Sequence, residues 1–407
     1  MVEFIETIIV GSGQAGLAMS HHLAQRGREH VILERARIAE RWRSERWDSL
    51  YFQFPNRMMR LPGHDYDGGD PDGFTHRDGV VRFIADYAAR NAAPVRCGVN
   101  VSALRRTDAG RLRVEAGPLS MEANNVVVAT GPWQAPRIPP AAVQLPPHIH
   151  QVTANRYTSP SELPPGGVLV LGSGASRYQI VEDLIAQGRQ VHYALRGHRR
   201  VPRRYRGRDF GLWNEAMGVT DRIASSIPPG TRSPLVTGHK GGHTADMRGL
   251  ARRGATLLGS LRGIVEGRVM LNADLNASLD AGDAAFRDTL QSIDAFIAQQ
   301  GIEAPPDDGA DADARAVRAP APEIESLDLG ATGIGSVIWA LGYDYDLGWI
   351  DCPVLDSLGA PVQQRGVTRE AGLFFLGLHR MHKMKSGFLW GVGEDAAFLA
   401  DHIAGRA

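Results

Sequence analysis

Short apolar runs recur along the chain, and each ends at a glycine or a charged residue. Phe4–Val10 is apolar without alternation and stops at Gly11, the pattern of a strand covered on both faces. Gly16–Arg26 places Leu17, Ala18 and Leu23 at helical spacing, and His30–Glu34 is a second buried run. A β-α-β unit therefore opens the chain. Val80–Asn91 predicts a helix, and Asn125–Gly131 predicts a further strand ending in a turn. The pattern then restarts: strand Gly167–Leu171, helix Tyr178–Ala186, strand Gln190–Leu195. Farther on, Phe286, Leu290, Ile293, Phe296 and Ile297 give Asp283–Gln300 a helical face. Ser336–Gly342 repeats the type of the Asn125–Gly131 strand, Leu373–Leu378 is a last strand, and Gly391–Ala407 a last helix. Trp42–Pro62 is aromatic and irregular. Asp65–Asp78 and Glu303–Glu323 read as loops, and the prolines of Pro132–Pro147 mark a connection between domains.

The turns between strand and helix carry the chemistry. Gly11-Ser12-Gly13-Gln14-Ala15-Gly16 follows the first strand. Gly11 permits a tight turn, Gly13 a close approach to a pyrophosphate, and Gly16 close packing of helix on strand. The helix N-terminus offers free amides and the positive end of a dipole. Glu34, at the end of the second strand, is placed for ribose hydroxyls, which suits FAD or NAD. The second unit opens on Gly172, Gly174, Ala175 and Ser176, but Arg177 stands where the third glycine belongs. That side chain either displaces the helix or points outward to a phosphate. The second strand of this unit runs into Arg196, with Arg199, Arg200, Arg203 and Arg204 behind, a setting for the 2′-phosphate of NADP or, alternatively, a solvated basic face. The expected fold is α/β, with two Rossmann-like dinucleotide-binding domains, the second inserted in the first. Residues 1–150 and 333–407 would hold FAD, and residues 151–332 NADPH.

Composition narrows the function. Lys+Arg 45 balances Asp+Glu 45, which argues against a nucleic-acid binder working through a basic field. The two cysteines, Cys97 and Cys352, form no CxxC pair, so a dithiol centre and a Cys-rich zinc site are excluded. His379 and His382 lack a third ligand at metal spacing, so no metal is expected. The start lacks the features of a signal peptide, and no apolar run reaches the roughly 18 residues of a membrane span. A cytoplasmic enzyme, monomeric or a homodimer, is the expectation.

These motifs, with Trp42-Arg-Ser-Glu-Arg46-Trp47-Asp48, Val128-Ala-Thr130-Gly131, Pro202–Asp209, Gly241-Gly-His243, Trp339-Ala-Leu-Gly342-Tyr343 and Lys385–Asp395, make nearly the whole chain resemble the bacterial flavin-containing monooxygenases. That group includes the Baeyer–Villiger and plant YUCCA enzymes. The resemblance implies FAD reduced by NADPH and reaction with O2 through a C4a-(hydro)peroxyflavin. One oxygen atom would then enter a small organic substrate at nitrogen, sulfur, or a carbonyl or heteroaromatic centre. It assigns cofactor contacts to Gly11, Gly13, Gln14, Ala15, Gly16, Glu34, Arg35, Trp42, Trp47, Val101, Thr130 and Gly131. In the second loop and beyond it assigns Gly172, Gly174, Ala175, Ser176, Arg177, Arg196, Arg203, Gly377, Ser386, Gly387, Phe388 and Leu389. Gln53 is placed at the reactive edge of the flavin, where an amide can donate to a peroxide oxygen. Trp42 and Trp47 read equally as core aromatics. Two departures put the subclass in doubt: Thr153 stands where the signature has histidine, and Ala340-Leu341-Gly342-Tyr343 replaces Ala-Thr-Gly-Tyr. An NADPH oxidase or flavin reductase that oxygenates nothing is the alternative.

Overall fold

The computed structural model describes all residues except 1, 173, 308, 310–311, 313–319 and 406–407, so Ser173 of the second glycine turn and much of the expected 303–323 loop lie outside the described residues. Glu3–Val10 pairs in parallel with His30–Glu34 and with Leu119–Val128. Ile8 and Ile9 are fully buried because sheet neighbours and helices cover both faces. The sheet runs from Val95–Cys97 at one edge, through these strands, to the antiparallel pair Leu112–Ala116 and Ala103–Arg106, and ends at Ile350–Asp351. Leu119–Val128 is shared: its first half pairs with Leu112–Ala116, and Val126–Val128 pairs in parallel with Leu373–Phe375. That second pairing brings the end of the chain back to the first unit. The helix Val392–Ala404 then packs along the first helix, Gln14–Gln25.

The second sheet has five parallel strands in the order His150–Thr153, Ile334–Trp339, Gly167–Leu171, Val191–Ala194, Thr256–Leu258. Alternate residues of Gly167–Leu171 face opposite layers. Val168 and Val170 join Ile180, Val181 and Leu184 of the helix Ala175–Ala186, whereas Leu169 and Leu171 join Ile264, Val269 and Leu327 of a three-stranded antiparallel sheet. The α/β architecture with two dinucleotide-binding units, one inserted in the other, is therefore the fold. No helix among the described residues is long and apolar enough to cross a membrane.

Three expectations change. Ile334–Trp339 lies in the second sheet, with Ile338 opposite Val170, so the return to the first unit comes after Trp339 rather than at residue 333. The strand resembles Asn125–Gly131 because it performs the equivalent task in the other unit. The helix expected at Asp283–Gln300 begins at Leu275. Its added turns bury Leu275 and Leu279, and Glu323 accepts from the amides of Leu275 and Asn276 at 3.2 and 2.9 Å. The strands Ala103–Arg106 and Leu112–Ala116 were not foreseen; their alternating charged residues pair across the strands, Arg105 with Glu115 among them.

The glycines of the first turn differ in what surrounds them. A Cβ at Gly16 would lie 1.9 Å from the Gly11 carbonyl oxygen, a backbone atom, whereas one at Gly13 would meet nothing within 4 Å. Gly16→Ala is expected to lower unfolding stability by more than about 2 kcal/mol, and Gly13→Ala by less than about 1 kcal/mol, in urea denaturation. Equal losses at the two sites would contradict this account.

Candidate functional site: two dinucleotide clefts

Gly11 turns with φ +106°, and its N–H donates to Leu33 O at 2.8 Å. Its Cβ position lies 2.7 Å from Ala129 O, so the turn is pressed onto the end of the neighbouring strand. The helix that follows has Gly13 as N-cap and no side-chain cap. Its first amides therefore have no intrahelical partner and face space that is open above Gly13. Gly131, φ +80°, is equally open, and Gln134 Nε2 holds that turn by donating to Thr130 Oγ1 and Gly131 O, both at 2.7 Å. Glu34 is buried beside the loop. It accepts from Ser12 N and Oγ at 2.8 and 2.9 Å and from Ala36 N at 3.0 Å, so it also orders the turn it flanks.

The returning segment completes this side. Gln14 Nε2 donates to Gly387 O at 2.7 Å, and a Cβ at Gly377 would lie 2.6 Å from Ala15 Cβ. Glycine at 377 thus allows the close approach. The structure brings Gly11, Gly13, Gln14, Ala15, Gly16, Glu34, Thr130, Gly131, Gly377 and Gly387 to one locus. Leu389 lies in the core, Phe388 is half-buried, Val101 rests against the first core, and Arg35 is exposed and paired with Glu45 at 2.8 Å. The buried Oγ of Ser386 accepts from His382 N and Lys383 N at 3.2 and 2.9 Å and so orders its own turn.

The second turn repeats the design. Gly172 has φ +128°, its N–H donates to Ala194 O at 3.0 Å, and its Cβ position lies 2.3 Å from Ala340 O. Gly174 is the N-cap of Ala175–Ala186, again with no side-chain cap; Ala175 and Ser176 form the first turn and are half-buried. A cleft of about 730 Å³ opens here, lined by Gly172, Gly174, Arg177, Arg196, His198 and Arg232 among others. Arg196 is exposed at its rim. Arg232, from a Pro- and Ser-flanked loop with no motif of its own, joins it by donating to Gly197 O. Burial beside Arg200 pushes the pKa of His198 down to about 4, so this ring adds no charge to the cleft at neutral pH. Arg177 takes neither expected course: it folds back across the loop and donates from Nε to Ala340 O.

Of the rest of the arginine run Arg200 and Arg203 turn inward, and Arg203 is a correction. It is 2% exposed and pairs with Asp209 through Nε and Nη2 at 2.8 and 2.5 Å. Its Nη1 donates to Gln53 O at 2.8 Å and to Thr237 O at 3.4 Å, so no phosphate can reach it. Arg200 pairs with Asp283 over the Phe286 ring, and Arg204 donates to the carbonyls of Gly241 and Gly242, both at 3.0 Å. Trp47 takes the core-aromatic reading, buried in the core of the second unit. Trp42 is half-buried, with the Arg46 guanidinium 5.5 Å from its ring centre and 5.9 Å from that of Trp133. Arg46 has no carboxylate partner within salt-bridge distance, and burial lowers its pKa.

Gln53 is half-buried, and Arg203 fixes its carbonyl. Next to it Phe54 packs with Trp390 at 4.8 Å and Phe388 at 5.7 Å between ring centres, and Phe388 stacks on Trp390 at 4.6 Å. His379 is exposed, and partial desolvation and the neighbouring Arg380 lower the pKa of its ring. Among the described residues no group of three or more His, Cys, Asp or Glu is placed to hold a metal ion.

Comparison with known proteins places this geometry. A family model described as pyridine nucleotide-disulphide oxidoreductase matches residues 8–207. The chain is 30% identical over 408 residues, 99% of each partner, to an uncharacterized CzcO-like oxidoreductase of Geobacillus kaustophilus. It is 30% identical over 193 residues to the indole-3-pyruvate monooxygenase YUCCA1 of Oryza sativa subsp. japonica, covering 46% of this chain and 47% of that one. The solved flavin-containing monooxygenase of Stenotrophomonas maltophilia shares the fold over 100% of this chain and 99% of its own, with TM-score 0.69 and 17% identity.

Arg203→Met is expected to destabilise the fold by about 3–5 kcal/mol, because Asp209 would be left buried and uncompensated. Guanidinium denaturation checks this; a loss below about 1 kcal/mol would show that Asp209 finds water or another partner.

Proposed function

The chain belongs to the CzcO-like oxidoreductase family, and on that premise we propose that it is an FAD-containing, NADPH-dependent monooxygenase acting on a small organic molecule. One observation carries the reading: two glycine turns each present uncapped helix amides, one beside an acid and the other beside Arg196 and Arg232. Both loci fit their groups. Open space over Gly13 and Gly131 leaves a cradle that side chains would fill. The second cleft, about 730 Å³ in volume, falls within the usual size of a ligand site and carries cations for an anionic dinucleotide. FAD and NADPH held at these loci would supply two-electron transfer from nicotinamide through flavin to O2, one oxygen atom going to the substrate and the other leaving as water.

The chain's residues hold and shield. Amides of Gln14, Ala15 and Gly16 offer donors and a positive dipole end to the FAD pyrophosphate. Glu34 accepts from ribose hydroxyls, and Gln53 supplies an amide able to donate to an oxygen near the flavin edge. Phe54, Phe388 and Trp390 exclude water on that side. Arg196 and Arg232 select the 2′-phosphate. Disulfide-reductase chemistry is disfavoured, since Cys97 ends one edge strand of the first sheet and Cys352 follows the strand at the opposite edge. Amines, sulfides, ketones and heteroaromatic acids are the substrate classes to test.

Purified protein is expected to be yellow, to bleach with NADPH without oxygen, and to recover its colour in air. Oxygen incorporation into a member of a substrate panel supports the monooxygenase. Stoichiometric hydrogen peroxide with every compound favours the oxidase alternative, and failure to bleach removes the NADPH assignment. Arg196→Ala should raise the NADPH Michaelis constant about tenfold or more without changing flavin content, since a charge-assisted contact contributes about 1.5–3 kcal/mol. Gly13→Trp should yield folded but colourless protein.

A further inference from the structure

We infer that Arg177 is the counter-ion of the pyridine-nucleotide diphosphate, held ready over the second glycine turn until a nucleotide enters. The inference rests on the reading of this cleft as the NADPH site. Among the described residues the two turns differ over the second glycine. In each, the first glycine sits on a strand-end carbonyl, Ala129 O or Ala340 O. In the first turn the space over the second glycine is open, because a Cβ at Gly13 meets nothing within 4 Å. In the second turn a Cβ at Gly174 would lie 2.3 Å from Arg177 Nη1, and one at Gly172 would lie 2.7 Å from Arg177 Nε. A guanidinium therefore stands at the corresponding seat of the second turn.

That guanidinium has no carboxylate partner. Its one hydrogen bond among the described residues goes to the neutral carbonyl of Ala340, and after the phenols of Tyr193 and Tyr343 the group acting on its charge is another cation, Arg196. Burial disfavours its charge. A cation held this way, beside uncapped helix amides, gains from an arriving dianion what it lacks. The side chain is long and rooted in the first helical turn, so rotation about its own bonds clears the seat and keeps its donors in reach of the diphosphate. Third-position glycine is dispensable here because Arg177 extends along the mouth of the turn and not between helix and strand. The helix keeps its place, with Ile180, Val181 and Leu184 fully buried.

The test is calorimetric binding of NADP⁺ and of adenosine 2′-monophosphate to the yellow holoprotein, as wild type, Arg177→Gly, Arg177→Lys and Arg196→Ala. Melting temperatures confirm that each variant is folded. Arg177→Gly is expected to weaken NADP⁺ about tenfold or more, with Arg177→Lys recovering part of the loss. Adenosine 2′-monophosphate, which lacks the diphosphate, should bind wild type and Arg177→Gly alike but lose affinity with Arg196→Ala. If Arg177→Gly binds NADP⁺ as tightly as wild type or more tightly, the side chain is bystander or plug and the inference is overturned. If wild-type protein binds neither ligand, the nucleotide reading of the cleft fails, and the inference with it.

Discussion

The structure depends on a glycine turn seated on the carbonyl at the end of a neighbouring strand. It occurs twice, at Gly11 over Ala129 and at Gly172 over Ala340. No side chain fits either place, and both glycines hold a positive φ that other residues rarely adopt. Once the turn is seated, the next helix must begin within three residues, and its N-terminus must face the space above the strand ends. The locations of both clefts, and the sign of the charge they favour, follow from that contact.

The inserted unit is tied to the first by contacts along its length. Arg203 reaches from the second unit to Gln53 O. Lys383 and Lys385, in the returning segment, share Asp221 of the insert and Glu394 of the last helix. Backbone bonds from Ala224 N to His382 O at 2.7 Å and from Met384 N to Arg222 O at 3.0 Å add to this. The insert thus grips the same segment that places Gly377 and Gly387 against the first helix. A shift of one unit would be felt at both cofactor loci, which suits chemistry that must pass between them.

Both β-α-β units were legible because the signals are local: an apolar run, a glycine turn, a helix, and an acid or arginine a fixed distance on. Glu34 and Arg196 stand where that spacing puts them. The residues misjudged are those whose role is set by distant partners. Arg203 reads as a cation for a phosphate or a solvated face until Asp209 and two carbonyls surround it, and Trp47 reads equally as a cofactor or a core aromatic until the second core closes on it. Arg232 carries no signal, since only the folded loop brings it to Gly197. The boundary near residue 333 was misplaced for the same reason: an apolar strand does not state which of two parallel sheets it will join.

The arginines show how a chain of zero net charge can build a cationic site. Five of them lie close together in sequence, yet Arg200 and Arg203 are consumed by buried carboxylates and Arg204 by carbonyls. Four arginines line the second cleft, Arg137, Arg177, Arg196 and Arg232, and of these Arg137 is paired with Asp344 at 2.6 Å. Among the described residues the other three have no carboxylate within salt-bridge distance. Arg196 and Arg232 are exposed at the cleft and Arg177 is half-buried, and each gains a partner when something anionic arrives. The fold compensates the arginines that hold it together and leaves three of the four at the cleft without a carboxylate, so the site is recognised by the partners its charges lack and not by the number of charges in the sequence.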